Sequence, residues 1–228
     1  MRTILGLAAT LLVLGAGCAT TKQAKLEDST AVCGFLGDAC QMLKPGQKGE
    51  AAERWINSSA QFTQYNKVMI TTVGFFGADA TKVSPKNQQA LTEFFYKSLN
   101  DELSKKYQVV DQPGPGVAKV QVAILDAEAA TPGMRSISMA VPQLRVLTSI
   151  ASLGTENFPF AGGVEAAFKL TDSATGQTLA AAVDRRMGAS AMRAAAQWQW
   201  GDAENAIKAW AEQIAARMYE YTSGAKKP

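Results

Sequence analysis

Val164-Glu165-Ala166-Ala167-Phe168-Lys169-Leu170-Thr171 and Thr178-Leu179-Ala180-Ala181-Ala182-Val183-Asp184-Arg185 flank a polar stretch at 172–177, and their pairing decides the fold. Two runs of this kind around Asp, Ser, Thr and Gly read as a β-hairpin. With Thr171 opposite Thr178, one face carries Val164, Ala166, Phe168, Leu170, Leu179, Ala181 and Val183, the expected core side under the helices. The other carries Glu165, Ala167, Lys169, Thr171, Thr178, Ala180, Ala182 and Asp184. Its middle is alanine, where a solvated sheet face would carry Thr, Lys or Glu. A cover over that face is therefore expected.

Upstream, Val68, Ile70 and Val73 with Phe75 and Phe76 read as a strand, and Ser84-Pro85 as a helix start with Ser as N-cap. Leu91, Phe94, Phe95, Leu99 and Leu103 then recur at helical spacing. Residues 107–111 form a short strand, and Val120, Val122 and Ile124 alternate in the next. A last helix opens at Asp202, with Ile207, Trp210, Ile214 and Met218 in one stripe and Gly224 as its end. Strand, helix, three or four strands, helix predicts an α+β two-layer sandwich. Its mostly antiparallel sheet has four to five strands, with two amphipathic helices on one face.

Residues 129–163 join two strands through about thirty-five residues, far beyond the usual connection of about 2–6. Between 129 and 155 the only charges are Arg135 and Arg145. Residues 142–153 read as a helix presenting Leu144, Leu147, Ile150 and Ala151, with Val146 and Leu153 extending the apolar surface. This long apolar arm is expected to fold over the alanine face. As the alternative, Leu144, Val146, Leu147, Ile150 and Leu153 would dock a partner. The helix lacks the basic polar face of a membrane-surface helix, which favours a protein partner over lipid.

The N-terminus gives an address. Arg2 precedes an apolar run at 4–14, and Gly15-Ala16-Gly17 lead into Cys18. The run is too short to span a bilayer, which needs about 20 residues. Its layout is that of a cleavable export signal. The stretch Leu14-Gly15-Ala16-Gly17-Cys18 resembles a lipoprotein processing site, with Cys18 acylated as the new N-terminus. Ala19 after the cysteine resembles the outer-membrane sorting choice. The expected organisation is a signal peptide at 1–17, a lipidated flexible tether at 18–31, one domain at 32–224 and a tail at 225–228.

Composition narrows the function. The chain has 228 residues, 23 Lys plus Arg against 20 Asp plus Glu, and a formal charge of +3 that falls to +2 without Arg2. That balance is a weak signal for nucleic acid. The absence of histidine removes His-dependent triads and His metal ligands. Neither a cofactor nor a metal is called for. With Cys18 lipidated, Cys33 and Cys40 remain, seven positions apart. Export favours a structural disulfide between them. Free thiols and a redox pair stay open, although the spacing is not Cys-x-x-Cys and no basic neighbour lowers a thiol pKa.

Gly34-Phe35-Leu36 with Asp38, then Leu43-Lys44-Pro45-Gly46 and a strand starting Tyr65-Asn66-Lys67-Val68-Met69-Ile70, resemble the bacterial lipoprotein family known as domain of unknown function 3313. Residues 170–176, 183–186 and a Trp-containing C-terminal helix extend the resemblance over most of the mature chain. Against the family's pattern the two cysteines look like a joint departure, which implies that they pair. The family has no established activity, so the resemblance implies an address and no mechanism.

Catalytic signals are thin. Gly188-Ala189-Ser190-Ala191-Met192 matches a nucleophile elbow for three residues only. Asp172 with Gly176 reads as turn chemistry. Asp184-Arg185-Arg186 near Glu165 would give a carboxylate pair with basic neighbours, which more often is an exposed ion pair. Trp210 reads as core, and Trp198 and Trp200 as wedges where the last helix starts. The expected function is a non-enzymatic accessory in cell-envelope assembly or maintenance, anchored to the outer membrane by lipid and facing the periplasm, with an envelope protein as partner. The alternatives are a small-molecule or lipid carrier with 134–154 as lid, and a carboxylate-dependent cell-wall enzyme using Asp172 or Asp184.

Overall fold

A computed structural model describes residues 21–27, 30–76, 83–130, 162–188 and 199–228. Its strands are β1 (Thr21–Gln23), β2 (Lys44–Pro45), β3 (Glu53–Ile56), β4 (Lys67–Ile70), β5 (Gly74–Phe75), β6 (Gln108–Val109), β7 (Val117–Glu128), β8 (Gly163–Asp172) and β9 (Thr178–Gly188). The helices are α1 (Thr30–Leu36), α2 (Pro85–Leu103) and α3 (Gly201–Thr222), with 3-10 turns at Gly37–Met42 and Phe62–Gln64. No helix among the described residues is long and apolar enough to cross a membrane.

The class is α+β as expected, but the sheet is larger and mixed. Nine strands form it among the described residues, in the order β2-β3-β9-β8-β7-β4-β6, with β1 on β9 and β5 on β7. The expectation of four to five mostly antiparallel strands is corrected. β4 and β5 run parallel to β7, and β4 runs parallel to β6. A parallel pair needs a long crossover, and α2 supplies it between β4 and β7.

Ser84 caps α2 as read, its Oγ accepting from the Asn87 N–H at 3.4 Å. Leu91, Phe95, Leu99 and Leu103 bury its apolar stripe. Against them lie Ile207, Trp210 and Met218 of α3 and the alternating Val120, Val122 and Ile124 of β7. Phe95 stacks on Trp210 at 5.9 Å, and Phe168 meets the same indole edge-on at 5.4 Å. Each such pair adds about 0.5–1.5 kcal/mol beyond burial.

The hairpin pairs Thr171 with Thr178 as expected, but Leu170 then pairs with Ala180, leaving Leu179 as a one-residue bulge. Past a bulge every side chain of one strand changes face relative to its partner. The β8 residues Val164, Ala166, Phe168 and Leu170 do face the helices, whereas Ala181 and Val183 lie on the opposite face. Ala180, Ala182 and Asp184 stand opposite Leu170, Phe168 and Ala166 and take the helix side.

The opposite face is covered, as its small residues demand. Ala123, Leu125, Ala167, Ala181 and Val183 form a second cluster closed by Leu36 and Ala39, with Leu26, Val32, Phe35 and Leu43 packed on it. Thus the cover found here is α1 and the following 3-10 turn. The arm at 131–161 lies outside the described residues. Residues 21–23, read as tether, form β1 against β9, with Thr21 opposite Gly188 and Gln23 opposite Arg186. Backbone pairing and polar side-chain bonds such as that of Gln23 to Asp184 hold this strand, so no apolar alternation marks it in the sequence.

Candidate functional site

The one-residue flip on β9 makes a cleft. Beneath the C-terminal half of α3, Ala180 and Ala182 put methyl groups where larger side chains would fill the sheet–helix space. Both remain half-buried in the middle of a sheet. With Phe168, Leu170, Val120 and Ile56 they form the floor of a cavity of about 170 Å³, roofed by Trp210, Ile214, Met218 and Tyr221. The rim is charged: Arg54 pairs with Glu50 at 2.9 Å and Arg217 with Glu220 at 2.9 Å. Gln213 ties α3 to the 46–52 loop, its Nε2 donating to Gly49 O at 2.7 Å.

Size decides what the cleft accepts. Pockets for drug-sized ligands run about 300–1,000 Å³, whereas a dry apolar cavity of about 150 Å³ accommodates a benzene ring. The cleft therefore suits one apolar side chain rather than a whole lipid.

At its inner end Asp184 is fully buried. Its Oδ1 accepts from Gln23 Nε2 at 2.6 Å and from the Ala52 N–H at 3.0 Å. Its Oδ2 accepts from Trp210 Nε1 at 2.7 Å and from Arg186 Nε at 3.2 Å. Asp172 is likewise engaged: Oδ1 accepts from the N–H groups of Ala174 and Thr175 and from Thr175 Oγ1, and Oδ2 from the Tyr65 hydroxyl at 2.9 Å. Burial alone would raise the Asp172 pKa, but these hydrogen bonds together hold it below the usual carboxylate range. Gly176 supplies the left-handed turn position at φ 76°. Both carboxylates are occupied in holding backbone and side-chain donors.

Nor do Asp184 and Glu165 meet. Glu165 pairs across the sheet with Arg185, on the face opposite Asp184. There a bulge at Leu125 sets Asp126 opposite Glu165. Arg185 forms ion pairs with Glu27 and Glu128. Glu165 is buried; its Oε2 accepts from the Glu27 N–H at 2.9 Å, and its Oε1 has no hydrogen-bond partner among the described residues. Burial pushes its pKa up to about 7; the Glu27 N–H and Arg185 oppose this, and the charges of Glu27 and Asp126 add to it.

Glu27, Asp126 and Glu128 bring carboxylate oxygens within 4.8 Å of one another, a spacing that a cation would suit. Arg185 already supplies that positive charge. A wider hollow of about 720 Å³ beside the disulfide is lined by Leu26, Val32, Leu43, Glu53 and Glu165. It is open and mixed in chemistry, its aliphatic side chains interleaved with carboxylates and with no aromatic wall among the described residues.

Cys33 and Cys40 form a disulfide with Cα atoms 5.1 Å apart, which closes the reading left open by their spacing. Trp210 is core and Trp200 is buried where α3 begins. Cys18, Leu144, Val146, Leu147, Ile150 and Leu153 lie outside the described residues, as do Ser190 and Trp198. The cleft itself escapes the sequence reading because it depends on the bulge and on β3. The only signals were the alanine run at 180–182 and the short Glu53-Arg54-Trp55-Ile56 run.

A family model described as Protein of unknown function (DUF3313) matches residues 33–214. No curated protein matches the chain. Among solved structures, the PelC dodecamer from Paraburkholderia phytofirmans aligns at 10% identity and a TM-score of 0.40, over 72% of this chain and 95% of that one. A Xanthomonas campestris protein of family DUF330 aligns at 12% identity and 0.40, over 73% and 90%. A Caulobacter crescentus protein provisionally described as a lipoprotein aligns at 14% and 0.33, over 69% and 94%. The likeness is distant in every case.

Proposed function

The chain belongs to the DUF3313 family of proteins of unknown function, and from that premise we propose that it is a lipid-anchored, non-enzymatic binding protein of the bacterial outer membrane. In this reading Cys18 is acylated after removal of residues 1–17, and the domain faces the periplasm. It serves cell-envelope assembly or maintenance by holding an envelope protein partner.

The cleft under α3 is the observation that carries this reading. Its alanine floor and aromatic roof suit one apolar side chain of a partner, and the charges of Arg54, Glu50 and Arg217 around it would orient the flanking polar groups. Asp172 and Asp184 speak against the enzyme reading, because neither is left free to transfer a proton. The cleft's volume speaks against its enclosing a whole lipid.

A photo-crosslinking residue at Ile214, with a control at exposed Lys208, tests the proposal in the lipidated protein in its own membrane. One discrete protein adduct from position 214 alone supports it. Equal adducts from both positions, or none, would overturn the cleft as the binding site. Bound lipid in native mass spectra would favour the carrier instead.

A further inference from the structure

Five backbone positions lie together at one end of the sheet. Thr21 pairs with Gly188, Gly163 with Met187, and Glu128 with Gly163. Hydrogen bonds tie the start of α3 to the same end: Ala130 N donates to Gln199 O at 2.7 Å, and Gly162 N to Asp202 Oδ2 at 2.9 Å. Resting on the proposed acylation of Cys18, the distance from the anchor is then set by covalent geometry. Cys18 precedes Thr21 by three residues, which span at most about 10 Å when fully extended. Thr21 is already fixed in the sheet, so no long tether separates the lipid from this edge of the fold.

We infer that the end of the sheet formed by Thr21, Glu128, Gly163 and Gly188 is the lipid-facing end of the protein, seated on the bilayer headgroups, with the β8–β9 turn pointing away from the membrane. The strands set the heights. At about 3.3 Å per residue, the turn at 173–177 stands about 35 Å above this end, and Ala182 in the cleft floor about 20 Å above it. The cleft under α3 thus clears the headgroups and meets a periplasmic protein rather than lipid.

The test uses the mature lipidated protein in phosphatidylethanolamine–phosphatidylglycerol vesicles carrying a headgroup nitroxide lipid. Cys18 is consumed by acylation and Cys33–Cys40 by the disulfide, so one added cysteine takes a single fluorophore. Labels are placed at exposed Gln199 (Gln199→Cys) and at the distal turn (Ala174→Cys). Several-fold stronger quenching at position 199 than at 174 is expected. Equal quenching, or stronger quenching at 174, with Cys18 acylated by intact mass, would overturn the orientation alone. A mature chain without acyl mass on Cys18 would overturn the anchor reading and the orientation with it.

Discussion

The indole N–H of Trp210 donates to Oδ2 of Asp184 at 2.7 Å, joining α3 to β9 through a carboxylate with no exposed surface. The same carboxylate receives Gln23 from β1 and the Ala52 N–H that precedes β3. One side chain therefore gathers the N-terminal strand, the edge of the sheet and the last helix. Removing one member of a buried charge-assisted network costs about 3–5 kcal/mol, because the remaining groups are left unpaired. Asp184→Ala is expected to lose that much in urea denaturation. Trp210→Phe, which removes one donor, is expected to lose about 1–3 kcal/mol. A loss below about 0.5 kcal/mol for Asp184→Ala, the range of ordinary surface substitutions, would show that the network is dispensable.

The disulfide pins α1 and its 3-10 turn over the second cluster, where Leu36 and Ala39 bury Ala167, Ala181 and Val183. A bridge closing so short a loop contributes about 2–3 kcal/mol on the chain-entropy model. The Cys33→Ser/Cys40→Ser double variant is expected to unfold at lower denaturant by that amount. Amide exchange should rise first at 30–42. Unchanged exchange there would mean that packing alone holds the cover.

How far these relationships were legible depends on single-residue register. The amphipathic helices, the hairpin and the alternation of Val120, Val122 and Ile124 are carried by side-chain period, and period survives in the sequence. Leu179 and Leu125 are both ordinary strand residues, yet as bulges they turn Asp184 toward α3 and set Asp126 opposite Glu165. Nothing in their chemistry announces this. The parallel pairing of β4 with β7 was legible in principle, since a strand followed by a nineteen-residue helix and another strand is a crossover unit. β1 and β2 are fixed by backbone pairing, with a polar bond from Gln23 to Asp184, and leave no apolar pattern.

Glu165 gives the fold a pH dependence whose sign follows from its pKa of about 7 against an ordinary 4.5. The folded chain holds this proton more tightly than the unfolded one. Between about pH 4.5 and 7 folding therefore takes up a proton, and stability falls as pH rises through that window, then levels off. The loss is about 3 kcal/mol at most, because each tenfold change in proton affinity is worth about 1.4 kcal/mol. The charged groups around it are Glu27 from the N-terminal segment, Asp126 and Glu128 from β7, and Arg185 from β9. Glu165→Gln keeps the shape and removes the titration. Its urea midpoint should exceed that of the parent chain above pH 7, and the gap should close toward pH 4.5. Parallel pH profiles for the two proteins would refute the assignment.

Cleft and fold can be separated by filling rather than emptying. Ala182 stands opposite Phe168 with its methyl group half-buried beneath α3, so Ala182→Leu extends side-chain atoms into existing space. Filling a cavity commonly adds about 0.5–2 kcal/mol, whereas overpacking costs about 1–3 kcal/mol. Because the cleft holds about 170 Å³, the first outcome is expected, with a thermal midpoint at or above that of the parent chain. The adduct formed from Ile214 should then disappear in the more stable protein. That combination distinguishes a blocked site from a damaged fold, which no truncation to smaller residues can do. An adduct of unchanged yield in a stable Ala182→Leu chain would move the binding surface away from α3.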